Sequence, residues 1–226
     1  MRPLNWQAMF RVENDAYLIS WRLIRSLIIM FVILASALVA MTGMTSSRWL
    51  PAIAHALDAD APISNPDVIV VRADGQNPAV ETQAAAMWAT GQVRAIALFG
   101  EPFTSDTILP AGPSLRIKTL TGLGIPADRI LAMYDGEDLY DQMVDLRDGL
   151  RRAKLRRALF LSSEPGTRRN LIIARRVLGG SGIEVGQISI SSPSYDPDTW
   201  WLDGQSRTRV ILNLTSLLIT LAVSRN

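Results

Sequence analysis

The chain has 226 residues, enough for one ordinary domain with additional elements. It has no cysteine and a single histidine, which excludes disulfides, thiolate nucleophiles and zinc–cysteine sites and leaves little imidazole for acid–base or metal chemistry. A formal net charge of +2 gives no general case for nucleic acid binding, while a hydrophobic content of 48% suggests that one segment lies in lipid.

Residues 1–25 read as a cytoplasmic tail. Residues 26–47, SLIIMFVILASALVAMTGMTSS, contain no charge. As a helix they would measure about 33 Å, close to the ~30 Å hydrocarbon core of a bilayer. Trp21 and Trp49 bracket the stretch, as suits interfacial aromatic side chains. Arg11, Arg22 and Arg25 precede it and only Arg48 follows closely, so the positive-inside rule puts the N-terminus in the cytoplasm and the rest in a periplasm. The expected location is therefore a bacterial inner membrane, crossed once. Ala35-Ser36-Ala37 offers a signal-peptide cleavage site, but the apolar run continues well past it, which favours an uncleaved anchor. Residues 48–66 read as a linker. His55 lies in it without a partner histidine nearby and reads as a linker or packing residue rather than a ligand.

The outer domain spans 67–226. Asp67–Val71 has the β-branched run of a strand, and Val80–Thr90 the spacing of a helix. Ala95–Phe99 is a second strand, followed by a long loop and a helix over 114–123. Ile130–Met133 is a third strand, and an acidic turn then leads into a helix over Leu139–Arg152. Arg157–Leu161 is the fourth strand, and a loop of small residues connects it to a helix over Asn170–Leu178. Ile183–Ile190 is the fifth strand, and Gln205–Val223 a last helix. This alternation predicts an α/β fold, a Rossmann-like parallel sheet of about five strands with helices on both faces, preceded by one transmembrane helix. No G-x-G-x-x-G follows the first strand, which argues against the usual dinucleotide site. The last helix is uncharged from Val210 to Ser224, about 22 Å, which is short for a membrane span. It reads as packed on the sheet, with a partner-facing or membrane-lying helix as the alternative.

In open α/β sheets ligands sit at the carboxyl ends of the strands. The stretch Arg157–Arg169 places an anion pocket there. The backbone N–H groups of Gly166 and Thr167 would open a helix, where the dipole favours negative charge. Ser162, Ser163 and Arg169 add donors, and Asp74, Gly75 and Gly100 would come from neighbouring strand ends. The alternative is an ordinary strand–helix turn with solvated Arg168 and Arg169. Asp135, Glu137, Asp138 and Asp141 could hold a hard cation, but Asp138 is also well placed to cap the helix that follows. Arg151, Arg152, Lys154, Arg156 and Arg157 could touch anionic lipid, but they also complement a helix carboxyl terminus. Ser163 has no candidate base nearby in sequence.

The order of these features resembles the YdcF-like proteins of the bacterial envelope, which include SanA and ElyC. The resemblance covers about 67–218. DVIVVRADG matches the family's opening strand, and Glu81, Ala85 and Gly91 match its first helix. ALFGE and GIPADRI follow in order, and SSEPGTRR aligns with T-S-x-x-H-x-x-R. TWWLDGQSRTRVILNLTS resembles the family's end. Gly166 stands where the family has histidine, and Asn213 and Ser216 where it has glutamate and lysine. Leu139 and Gln142 replace a threonine and an asparagine, while Arg169 is kept. The resemblance implies a SanA-like, membrane-anchored protein of cell-envelope biogenesis. The depleted polar set implies binding of an anionic small molecule, an envelope intermediate or a membrane-protein partner rather than catalysis. Hydrolysis or transfer on a phosphorylated envelope intermediate, and an accessory structural role in a membrane complex, are the alternatives.

Overall fold

The computed structural model describes residues 24–36, 48–72, 77–100, 112–133 and 138–223. The chain forms two compact units, Met1–Trp49 and Leu50–Asn226.

In the first unit, residues 24–36 are helical. Their large apolar side chains, from Ile24 to Leu34, are 45–71% exposed. Residues 37–47, the second half of the expected membrane segment, lie outside the described residues. Among the described residues no helix is long and apolar enough to cross a membrane.

In the second unit five strands, β1 (Val68–Arg72), β2 (Ala95–Phe99), β3 (Ile130–Met133), β4 (Arg157–Ser163) and β5 (Glu184–Ile190), form one sheet in the order β3-β2-β1-β4-β5. Every pairing is parallel. The fold is therefore α/β and Rossmann-like. A helix over residues 48–57 is α1. The others are α2 (Pro78–Ala89), α3 (Gly112–Gly122), α4 (Leu139–Arg152), α5 (Thr167–Gly179) and α6 (Gly204–Val223).

Side chains on a strand alternate between faces, so the apolar runs of β1, β2 and β4 serve two cores at once. Val68, Val70, Phe99 and Phe160 face α4 and α5, where Met143, Leu146, Ala174 and Leu178 meet them. Ile69, Val71, Leu98 and Leu161 face α2 and α3, where Val80, Ala84 and Leu120 meet them. The Phe99 and Phe160 rings pack edge to face, 5.9 Å apart.

The strands fall where their apolar runs place them, with element ends shifted by one to three residues. Asp67 lies just before β1, and its carboxylate accepts hydrogen bonds from the backbone N–H groups of Arg156 and Arg157. α2 begins at Pro78 because Asn77 caps it, accepting from the Ala79 N–H. α5 begins at Thr167, three residues earlier than its apolar spacing suggests.

Two expectations are corrected. Residues 50–66 are not a linker but part of the folded unit. Ala54 and Leu57 of α1 enter a third core with Trp200, Val210 and Leu217. Ala61 bridges Gln187 of β5 through two 2.9 Å backbone hydrogen bonds. The apolar piece Leu50–Leu57 carries enough surface to be worth burying, and α6 supplies the other half. Likewise, α6 does not rest on the sheet. Its buried residues Val210 and Leu217 belong to that third core, which contains no strand residue.

Candidate functional site

The strand order reverses between β1 and β4, so the chain leaves their carboxyl ends in divergent directions. Such a switch point opens a crevice in α/β sheets. Here it holds a cavity of about 310 Å³, lined by the end of β1, the start of α2, the β4–α5 turn, the first turn of α5 and Asn213 of α6.

Ser162, Ser163, Gly166 and Arg169 line this cavity, as the sequence places them. Thr167 does not. It is fully buried, and its hydroxyl faces residues 58–59, accepting from the Ala59 N–H at 2.8 Å. Gly100 ends β2 with a positive φ of 104° and is not among the lining residues. Asp74 and Gly75 lie outside the described residues, as do Asp135 and Glu137. Asp138 caps α4, accepting from the N–H groups of Tyr140 and Asp141 at 2.7 and 2.9 Å. Among the described residues no cluster of acidic or histidine side chains could hold a metal ion.

The helix-terminus part of the anion pocket is also corrected. The Gly166 N–H donates to Asp58 Oδ1 at 2.9 Å and the Thr167 N–H to the same atom at 3.3 Å. The chain thus supplies its own anion to the start of α5, from a stretch that reads as linker in the sequence. Burial pushes the Asp58 carboxyl above its ordinary value, against the pull of the Thr167 and Gly166 amides. Glu164 is pushed up as well, by burial and then by the charges of Asp58 and Asp60.

What remains in the cavity is a set of side chains that sequence reasoning only partly found. Arg72 ends β1 and lies over the Phe99 ring, 5.7 Å from its centre. Arg169 is held by a hydrogen bond from its Nε to Thr220 Oγ1 of α6, at 3.2 Å. Burial and then the charge of Arg72 push the Arg169 guanidinium below its ordinary value, against Asp138. Glu81 is 1% exposed and forms an ion pair with Arg116 of α3. Asn77 ties the site together, because its Nδ2 donates to Ser163 Oγ at 3.1 Å and to the Ser191 carbonyl at 3.0 Å.

Arg72 escaped the sequence reading because it looked like the first residue of a loop. Asn213 carried a usable signal, since it stands where the resemblance has a glutamate. The two departures Gly166 and Asn213 meet in space. Gly166 has a φ of 110°, and a β-carbon added there would run into the Asn213 side chain. The cavity wall at this point is therefore built for glycine. Ser163 accepts from Asn77 and donates to the Glu164 carbonyl at 3.3 Å, so its hydroxyl is already engaged. His55 lies away from the cavity, exposed and 3.1 Å from Asp198.

No protein family matches the chain, and no curated protein does. Among solved structures it is similar to a Rossmann-fold NAD(P)-binding family protein from Shigella flexneri. The match covers 54% of this chain and 66% of that one, with 17% identity and a TM-score of 0.28.

Proposed function

We propose that the chain is a membrane-anchored, YdcF-like protein of the bacterial cell envelope whose outer α/β domain binds a small anionic ligand rather than transforming it. The observation that carries the reading is the pair Arg72 and Arg169 at one cavity, near enough that the charge of one depresses the guanidinium of the other. An anion between them would relieve that repulsion, and an arginine fork suits the paired oxygens of a phosphate or carboxylate. The carboxylate of Glu81 is committed to Arg116, and Asn170 and Asn213 supply neutral polar groups. Binding is preferred to turnover because the serines at the cavity have no histidine or cysteine beside them. The membrane part rests on the uncharged stretch 26–47 and on the apolar surface that residues 27–34 present all round.

The test is a thermal-shift series on the full chain in neutral detergent, with inorganic phosphate, sugar phosphates, nucleotides and dicarboxylates. At a hundredfold excess over Kd a ligand stabilises by about 2.7 kcal/mol, a shift of roughly 5–10 °C for a domain of this size. Arg169→Ala should abolish the shift. If no anion moves the wild-type melting point, or if Arg169→Ala responds as the wild type does, the binding reading is wrong.

A further inference from the structure

The outer face of α6 is apolar and open. Val210 and Leu217 are buried in the third core, but Ile211, Leu212, Leu218 and Ile219 are 57–62% exposed. At helical spacing Ile211, Thr215, Leu218 and Ala222 form the centre of this face, with Leu212 and Ile219 along one side. Leu202, in the 3-10 turn leading into α6, is 73% exposed. Within α6 the cations are Arg207, which shares this face at helical spacing, and Arg209, which turns to Ser194 on the other side, and the helix has no acidic residue. An apolar stripe with a cation at its start and no acid within it suits anionic lipid headgroups.

The position of α6 in the folded unit points to the same partner. α1 packs directly on it: Ala54 and Leu57 share a core with Val210 and Leu217, and Trp200 Nε1 donates to the Leu50 carbonyl at 2.9 Å. The chain reaches α1 straight from the uncharged stretch, since only Arg48 and Trp49 lie between Ser47 and Leu50. Three residue steps span on the order of 10 Å at most. If residues 26–47 cross the bilayer, this short tether keeps the second unit close to the bilayer surface. Tethering then makes contact with that surface effectively intramolecular.

We propose that α6 is a second membrane contact, its outer face and Leu202 resting in the headgroup layer of the bilayer that anchors the chain. This rests on the anchor reading above.

The chain has no cysteine, so a single introduced cysteine carries a spin label at a unique place. The full chain is reconstituted into nanodiscs of phosphatidylethanolamine and phosphatidylglycerol with labels at Leu212, Ile219, Thr82 or Val32. Collision with oxygen and with a water-soluble nickel chelate is then measured. The expected pattern is lipid contact at shallow depth for Leu212 and Ile219, greater depth for Val32 and water for Thr82. Water-like labels at Leu212 and Ile219 with Val32 still in lipid would overturn the α6 contact and leave the anchor standing. A water-like Val32 would overturn the anchor and the α6 contact with it. Labels at Leu212 and Ile219 shielded from both reagents would mean that a protein or a second copy covers the face, which also overturns the proposal. As a second measurement, Leu212→Glu with Ile219→Glu should move a label at Leu202 toward the Thr82 value with the melting point held. No movement in a folded variant would count against lipid contact.

Discussion

The two ends of the sheet each use an aspartate to hold a pair of backbone N–H groups, and they do so under opposite conditions. At the amino end Asp67 accepts from the N–H groups of Arg156 and Arg157 and pairs with Arg94 at 2.8 Å. Partial burial pushes its carboxyl up, but the Arg156 N–H and the Arg94 charge prevail and hold it below the ordinary range. At the carboxyl end Asp58 accepts from Gly166 and Thr167, and there burial prevails and the carboxyl is pushed up. The amino end is a closed structural joint in which each charge has its answer. The carboxyl end keeps a half-buried carboxyl group beside a cavity that gathers arginines, an arrangement costly for folding and useful for binding.

The sharpest way to probe the carboxyl end is Gly166→Ala. The positive φ and the nearby Asn213 both oppose a methyl group, and the loss should be about 3 kcal/mol in urea unfolding. Adding Asn213→Ala should recover the steric part and leave the backbone part. A double variant no better than the single one would show that Asn213 does not shape the wall.

Asp67→Ala comes next, at about 2 kcal/mol near neutral pH, because a charged acceptor is removed from two backbone donors. A carboxyl with a lowered folded pKa contributes stability that is present above its ordinary value near 3.8 and is lost as pH falls through the folded value. Wild type and variant should therefore converge on acidification, and a gap that persists in strong acid would sink the assignment.

Asp58→Ala should cost less, about 1 kcal/mol, because loss of the cap is offset by removal of a poorly solvated charge. Its pH signature has the opposite sign. A raised folded pKa means that the native state binds the proton more readily, so wild-type stability declines as pH rises from near 3.8 through the folded value. Asp58→Asn should remove that decline. The alanine variant also frees the Gly166 and Thr167 amides, so its response to phosphate in the thermal-shift series should exceed that of the wild type. An unchanged response would mean that the start of α5 cannot take an external anion.

Arg94→Ala is the smallest expected effect, below about 1 kcal/mol, since its partner is reached across an exposed surface. A larger loss would move Arg94 from an auxiliary to a principal part of the amino-end joint.

Much of the architecture is set locally and can be read in the sequence. Five apolar runs separated by helix-length segments specify the strands, the three central ones, VIVVR, AIALF and RALFLSS, being buried on both faces, and parallel pairing follows from the lengths between them. Ser162, Ser163, Gly166 and Arg169 could be placed at the cavity because strand ends are local and the switch point is a rule of the fold. What could not be read depends on contacts far along the chain. Asp58 meets Gly166 and Thr167 from more than a hundred positions away. Nothing in DADAP announces that contact, because a capping aspartate is legible only when it adjoins its helix. The same reason hid Arg72 beside Arg169, Asn213 against Gly166, and the shared core of α1 and α6. By itself the sequence determined the five strands and the helices from α2 to α6 to within a few residues, and which stretch lacks charge, since those depend on residue type and spacing. The tertiary structure alone decided which anion sits at the start of α5, which cations gather at the cavity and which face of α6 stays open, since those depend on distances that only the folded chain creates.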